Sequence, residues 1–123
     1  MVTRKKSVLA IVCLSCAGGA LFALTGSARS APQVREVNIR ADKYSFAPAR
    51  IEVQKDEIVK VTFTAVDIPH SFTIDGYRIS KRAAAGQTVT FEFRADRTGP
   101  FPFYCNLTQD DRCKQMHGEL SVK

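Results

Sequence analysis

The stretch Glu57–Ala65, EIVKVTFTA, is dense in β-branched and aromatic residues, a composition that suits the pleated, half-buried surface of a strand. Gln87–Arg94, QTVTFEFR, sets Val89, Phe91 and Phe93 on one side and polar residues on the other. Successive strand side chains point to opposite faces, so this period of two predicts a sheet with one face turned to a core. VREVNIR alternates in the same way at Val37 and Ile39, and so does Arg50–Val53. His70–Ile74, a short strand or extended arm over Tyr77–Ser80, FPFYC ending at Cys105, and Glu119–Val122 complete the set. Val66-Asp67-Ile68-Pro69, Asp75-Gly76 and Thr98-Gly99-Pro100 interrupt them, because proline lacks a ladder donor and glycine turns the chain. Ala83–Gly86 is too short for a helix. About seven short strands, with turn signals at intervals of about ten residues, predict an all-β antiparallel sandwich.

The first thirty residues read differently. Arg4, Lys5 and Lys6 precede the apolar run VLAIVCLSCAGGALFALTG, and Ala28-Arg29-Ser30 follows it. A basic head, an apolar middle and closely spaced small residues predict a signal peptide over residues 1–30, cleaved before Ala31. The alternative is an uncleaved anchor, since Val8–Leu24 is about the shortest apolar run that spans a bilayer. Both readings put residues 31–123 in a periplasmic or otherwise exported compartment, and only the second involves a membrane.

The leader carries four of the 18 basic residues and none of the 12 acidic ones, which leaves residues 31–123 a net charge of +2. The basic residues are scattered and no basic run is interleaved with aromatics, so nucleic acid is not an expected partner. Arg78, Lys81 and Arg82 read as a solvated face, with docking of an acidic partner as the sharper alternative.

A β-domain of this size has a thin core and gains from a cross-link or a metal. Of the 4 cysteines, Cys13 and Cys16 lie in the leader, and Cys105 and Cys113 remain. In an oxidising compartment, two cysteines suggest a disulfide first. Yet the chain's 2 histidines, His70 and His117, both fall beside loops at strand ends, and Met116 directly precedes His117. Thiolate and imidazole together select copper or zinc, and a thioether adds a soft donor that favours copper. A disulfide accounts for the cysteines and leaves the other three residues unexplained. No serine, histidine and acid constellation suggests hydrolytic chemistry, so the chain reads as a carrier or binder rather than an enzyme.

The phrases Phe46-Ala-Pro48-Ala-Arg-Ile51-Glu-Val53, Ile68-Pro69-His70-Ser71-Phe72, Phe103-Tyr104-Cys105 and Met116-His117-Gly118-Glu119-Leu120 together resemble the cupredoxins over nearly all of residues 31–123. The resemblance implies a Greek-key β-sandwich that binds copper at one pole and passes single electrons to a redox partner protein. Asn106–Arg112, NLTQDDR, holds no histidine where a mononuclear blue-copper loop carries one. Asp67-Ile68-Pro69-His70-Ser71-Phe72 and Cys113-Lys-Gln-Met-His117 are also similar to the dinuclear CuA domain of cytochrome oxidase subunit II and nitrous oxide reductase. That likeness implies His70, Cys105, Cys113 and His117, with Met116, as ligands of one or two copper ions. The two cysteines stand farther apart here than in that family, Met116 precedes the histidine instead of following it, and Leu120 occupies the position of that family's methionine. Three readings stay open: a CuA-like electron relay, a mononuclear carrier or copper delivery and storage protein working with a copper-handling partner, and a metal-free binding module closed by a Cys105–Cys113 disulfide.

Overall fold

The computed structural model describes Ser30–Lys123 together with Gly18, Gly19 and Gly26. The signal-peptide and anchor readings therefore fall almost wholly outside the described residues, and no described helix is long and apolar enough to cross a membrane.

The described chain is all β apart from two short 3-10 turns, Asp75–Tyr77 and Cys113–Gln115. The strands are β1 (Val34–Asp42), β2 (Ser45–Ala47), β3 (Arg50–Val53), β4 (Ile58–Ala65), β5 (His70–Ile74), β6 (Ile79–Ala83), β7 (Thr88–Arg94), β8 (Gly99–Tyr104) and β9 (His117–Val122). They form a 4-stranded sheet, β2-β1-β4-β7, and a 5-stranded sheet, β3-β9-β8-β5-β6. The expected sandwich is present, with β2 (Ser45–Ala47) added to the expected strands and set off from the expected Arg50–Val53. Pro48 explains that division. Without an N–H it cannot continue the ladder, so the chain leaves the first sheet after Ala47, where Phe46 pairs with Ala41. It enters the second sheet at Arg50, and Ile51 pairs with Leu120.

Three expectations shift. The sandwich is mixed rather than purely antiparallel, because β1 runs parallel to β4 and β3 parallel to β9. Tyr77 belongs to the 3-10 turn and not to a strand, and β6 runs over Ile79–Ala83 in place of Tyr77–Ser80. Here Arg78 takes a left-handed conformation at φ 54°, which makes a corner, while the Tyr77 ring packs 4.7 Å from Phe101 and 5.0 Å from Phe93. Finally, β8 stops at Tyr104 and β9 begins at His117, two residues before Glu119, since Tyr104 pairs with His117 across the ladder.

The core lies between the sheets. Phe63, Phe72 and Phe103 are fully buried with Phe46 beside them, and Phe72 sits 4.8 Å from Phe103 and 5.9 Å from Phe63, centroid to centroid. Large rings at these spacings combine area burial with favourable edge and offset contacts, so the frame beneath the loops is stiff. One end of this frame carries the start of β5, the segment after β8 and the segment before β9.

Candidate metal centre

Pro69 interrupts the β4–β5 connection, and the ladder resumes at His70, the first residue of β5, which pairs with Ala83. The His70 side chain is 0% exposed. Its Nε2 lies 2.9 Å from Oδ1 of Asp67. Partial burial pushes the Asp67 carboxyl up, but hydrogen bonds from His70, from the Lys43 amide and from the Ile68 amide outweigh it and bring the pKa down to about 2. Asp67 is therefore an acceptor only, so the shared proton sits on Nε2 of His70. In the neutral imidazole, Nδ1 is then the nitrogen that keeps a lone pair. Nδ1 of His70 is buried and has no hydrogen-bond partner among the described residues.

Next to it stand the sulfurs. A His70 ring nitrogen and the Sγ atoms of Cys105 and Cys113 all lie within 4.8 Å of one another, and all three residues are buried. Cys105 and Cys113 are joined as a disulfide with their Cα atoms 5.3 Å apart, a usual separation for such a bond. The Ser71 amide donates to Cys105 Sγ at 3.4 Å. Met116 is also buried; its amide donates to the Cys113 carbonyl at 3.0 Å, and its carbonyl accepts from the Cys105 amide at 3.4 Å. His117 stands apart. It is exposed and lies outside the His70–Cys105–Cys113 group.

Thus the structure brings together three of the five expected ligands, sets Met116 in the core beside both cysteines' backbone, and leaves His117 on the surface one residue away. Of the aromatics expected to shield the centre, Phe72 and Phe103 are fully buried, Tyr104 is half-buried, and the half-buried Phe101 packs instead against Tyr77, 4.7 Å between centroids. The Tyr104 hydroxyl faces away from the core, donating to the Asp75 carboxylate at 3.0 Å.

Residues that ligand-hunting overlooks support the group. Asp67 fixes the His70 ring; the hint was an acid three residues before a histidine, in a loop that Pro69 breaks. Ser71 holds the start of the ligand loop, its Oγ accepting from the Asn106 amide at 2.7 Å and donating to Asn106 Oδ1 at 2.6 Å. Sequence carries no signal for that pair, which meets only because β5 and β8 are neighbours.

The donor chemistry suits copper. A buried imidazole nitrogen with an open lone pair, oriented by a carboxylate on its far side, is the arrangement that metal-binding histidines adopt. Once reduced, the two cysteines would offer the soft thiolates that with imidazole select copper or zinc, and a thioether donor such as that of the buried Met116 would favour copper. Comparison with known proteins agrees with this reading at the level of family: the cupredoxin-like domain profile matches residues 14–122. The chain belongs to the cupredoxin-like domain family.

Within that family, the chain is 24% identical over 95 residues to cytochrome c oxidase subunit 2 of Thermus thermophilus, a stretch covering 77% of this chain and 70% of that protein. Against the same subunit from a named strain of that organism, the matched share of the relative is 56%. Among solved structures, a chain of a heme-copper terminal oxidase dimer superposes with a TM-score of 0.68 at 19% identity, covering 74% of this chain and 65% of that one. The metal-binding domain of the Streptococcus pneumoniae Cu(I)-exporting P-type ATPase CopA, solved with Cu(I), gives a TM-score of 0.62 at 19% identity over 73% of this chain and 86% of that domain. These likenesses establish the cupredoxin sandwich.

Proposed function

We propose that this chain is an exported copper protein that passes single electrons through a centre built on His70, Cys105 and Cys113, with Met116 and His117 at its margin. The observation that carries this reading is Nδ1 of His70, a buried polar atom with no partner, in an imidazole that has a ring nitrogen within 4.8 Å of two sulfurs. Leaving such an atom unsatisfied costs on the order of 1–3 kcal/mol, which a site retains only for a reason. Copper, when bound, supplies a one-electron couple that polypeptide side chains lack.

The protein's own residues do the rest. Asp67 holds the imidazole by Nε2 and leaves Nδ1 without a hydrogen-bond partner. The Ser71 amide places a donor on Cys105 Sγ, which favours its thiolate form. Phe72 and Phe103 exclude water behind the centre. The disulfide is the oxidised state of the pair: a dithiol reductant must open it, leaving as its own disulfide and delivering two electrons and two protons to Cys105 and Cys113. Reduction therefore precedes loading. A redox protein is the expected partner, and His117, exposed and next to Met116 along the chain, would be the candidate ligand for a second copper in a CuA-like centre.

The disulfide itself favours one other reading, a metal-free β-sandwich module that Cys105–Cys113 closes. Reduction of the full chain, anaerobic copper loading and a count of copper per chain separate the two, with EPR reporting whether one or two ions share the unpaired electron. Stoichiometric binding that His70→Ala abolishes is expected. Reduced protein that takes up no copper would establish the metal-free module in its place.

A further inference from the structure

The segment between the cysteines is long, and the structure ties it down at both ends. At its start, Asn106 is bonded to Ser71 and also donates from Nδ2 to Ser80 Oγ at 3.1 Å. Leu107 packs against the core. At its far end stands Asp110. Its carbonyl accepts from the Cys113 amide at 3.0 Å, its Oδ1 accepts from the Arg112 amide at 3.0 Å, and its Oδ2 accepts from the Tyr44 hydroxyl at 3.0 Å. The Arg112 guanidinium lies over the Tyr44 ring, 5.2 Å from its centroid. Tyr44 sits in the turn between β1 and β2, on the 4-stranded sheet, while both cysteines hang from the other sheet. Asp110 thus receives a bond from the opposite sheet and passes it directly to the backbone of Cys113.

We infer that Tyr44 and Asp110 are a positioning pair that holds Cys113 over Cys105 and sets how readily the two thiols join or part. Thr108 and Gln109 form an exposed tip, so the Tyr44 hydroxyl is the one hydrogen bond that ties the Cys113 end of the segment to the opposite sheet among the described residues, beside the stacking of Arg112 and the burial of Cys113. A contact that keeps two thiols in register favours their bond by the same factor by which the bond favours the contact. In exchange with glutathione, two glutathione thiols become glutathione disulfide as the Cys105–Cys113 bond becomes two thiols, and the latch shifts that equilibrium toward the protein disulfide. The inference rests on the proposed role of the cysteine pair but makes no use of copper.

The test is the Cys105–Cys113 dithiol–disulfide equilibrium constant of the full chain in glutathione buffers, after acid quench and alkylation. Peptide mass spectrometry restricts the readout to these cysteines and excludes Cys13 and Cys16. Tyr44→Phe keeps the ring beneath Arg112 and removes only the hydroxyl, so the constant should fall about fivefold to tenfold toward the dithiol, the net worth of one ordinary hydrogen bond. Asp110→Ala should shift it at least as far, the double variant no further than Asp110→Ala alone, and Gln109→Ala by less than about twofold, since additivity fails only within one network. A contribution to general stability alone would lower the urea midpoints of oxidised and reduced protein equally and leave the constant where it was. Constants within about twofold of the parent for both Tyr44→Phe and Asp110→Ala would overturn the inference, whether or not the reduced protein binds copper.

Discussion

The Asp67 carboxylate and the His70 imidazole meet at 2.9 Å, and that contact engages Nε2 and leaves Nδ1 buried without a hydrogen-bond partner. Orientation of a ligating histidine from its far side is worth roughly 10- to 100-fold in metal affinity. Asp67→Ala should therefore weaken copper binding to the reduced protein by about that factor. Competition against a copper chelator of known affinity measures it, and an unchanged affinity would mean that the ring is held by packing alone.

Cys113→Ser removes the disulfide and a candidate ligand together. In the oxidised protein the loss of a closed loop this short should lower stability by roughly 3 kcal/mol on the chain-entropy account. Urea unfolding of parent and variant checks it, with the reduced parent as control: once reduced, the parent should unfold near the variant. A dinuclear centre should vanish in this variant, whereas a mononuclear one built on Cys105 would survive.

Gly118 follows His117, and a Cβ there would run into the Phe103 ring and come within 2.7 Å of the Ala49 carbonyl. The backbone oxygen has nowhere to go, and Phe103 is fully buried. Gly118→Ala is expected to destabilise by about 2–3 kcal/mol, at the upper end for overpacking, and to lower the thermal midpoint measurably. A Tm equal to that of the parent would show that β9 slides away from the ring.

Glu57 and Arg35 bind the start of β4 to β1, with Arg35 Nη2 3.1 Å from Glu57 Oε1 and the Gln54 amide 3.0 Å from Glu57 Oε2. The Arg35 hydrogen bond, with the Gln54 amide behind it, holds the Glu57 carboxyl below its ordinary value of 4.5. A depressed carboxyl stabilises the fold when ionised, so this contribution is fully present above that ordinary value and is lost as the pH falls toward the lower folded-state value. Urea midpoints measured from neutral pH down through the acid range should decline less steeply in Glu57→Gln than in the parent, whereas parallel declines would assign the acid sensitivity to other carboxylates.

Strand identity was legible wherever the period of two was clean, as over Glu57–Ala65 and Gln87–Arg94, because each strand there has one buried face. It was less legible at Tyr77 and Ser45–Ala47, where a left-handed Arg78 and a sheet-switching Pro48 act through tertiary neighbours. The parallel pairings could not be read locally, since nothing in Arg50–Val53 names β9 as its neighbour. At the site, residue chemistry singled out His70 and both cysteines, because imidazole and thiol are scarce in this chain. The exposure of His117 depends on which way the first residue of β9 faces, and a boundary two residues earlier than expected changed that. Which nitrogen of His70 lacks a partner became assignable only through Asp67, and the account of the NLTQDDR segment only through Tyr44, which lies far from it along the chain.

The parallel pairing of Arg50–Val53 with Glu119–Val122 also orders events in time. β8, which carries Cys105, is zipped to β9, and β9 is in turn the sole neighbour of β3, so this sheet closes only when residues from both ends of the domain meet. Such distant pairings make folding slow relative to a chain of local contacts. During synthesis, Cys105 and Cys113 emerge after His70 and before β9, the strand that closes the sheet beside them. Until β9 pairs, the two thiols are open to oxidants and reductants, and the His70–Cys105–Cys113 group closes only with that last strand.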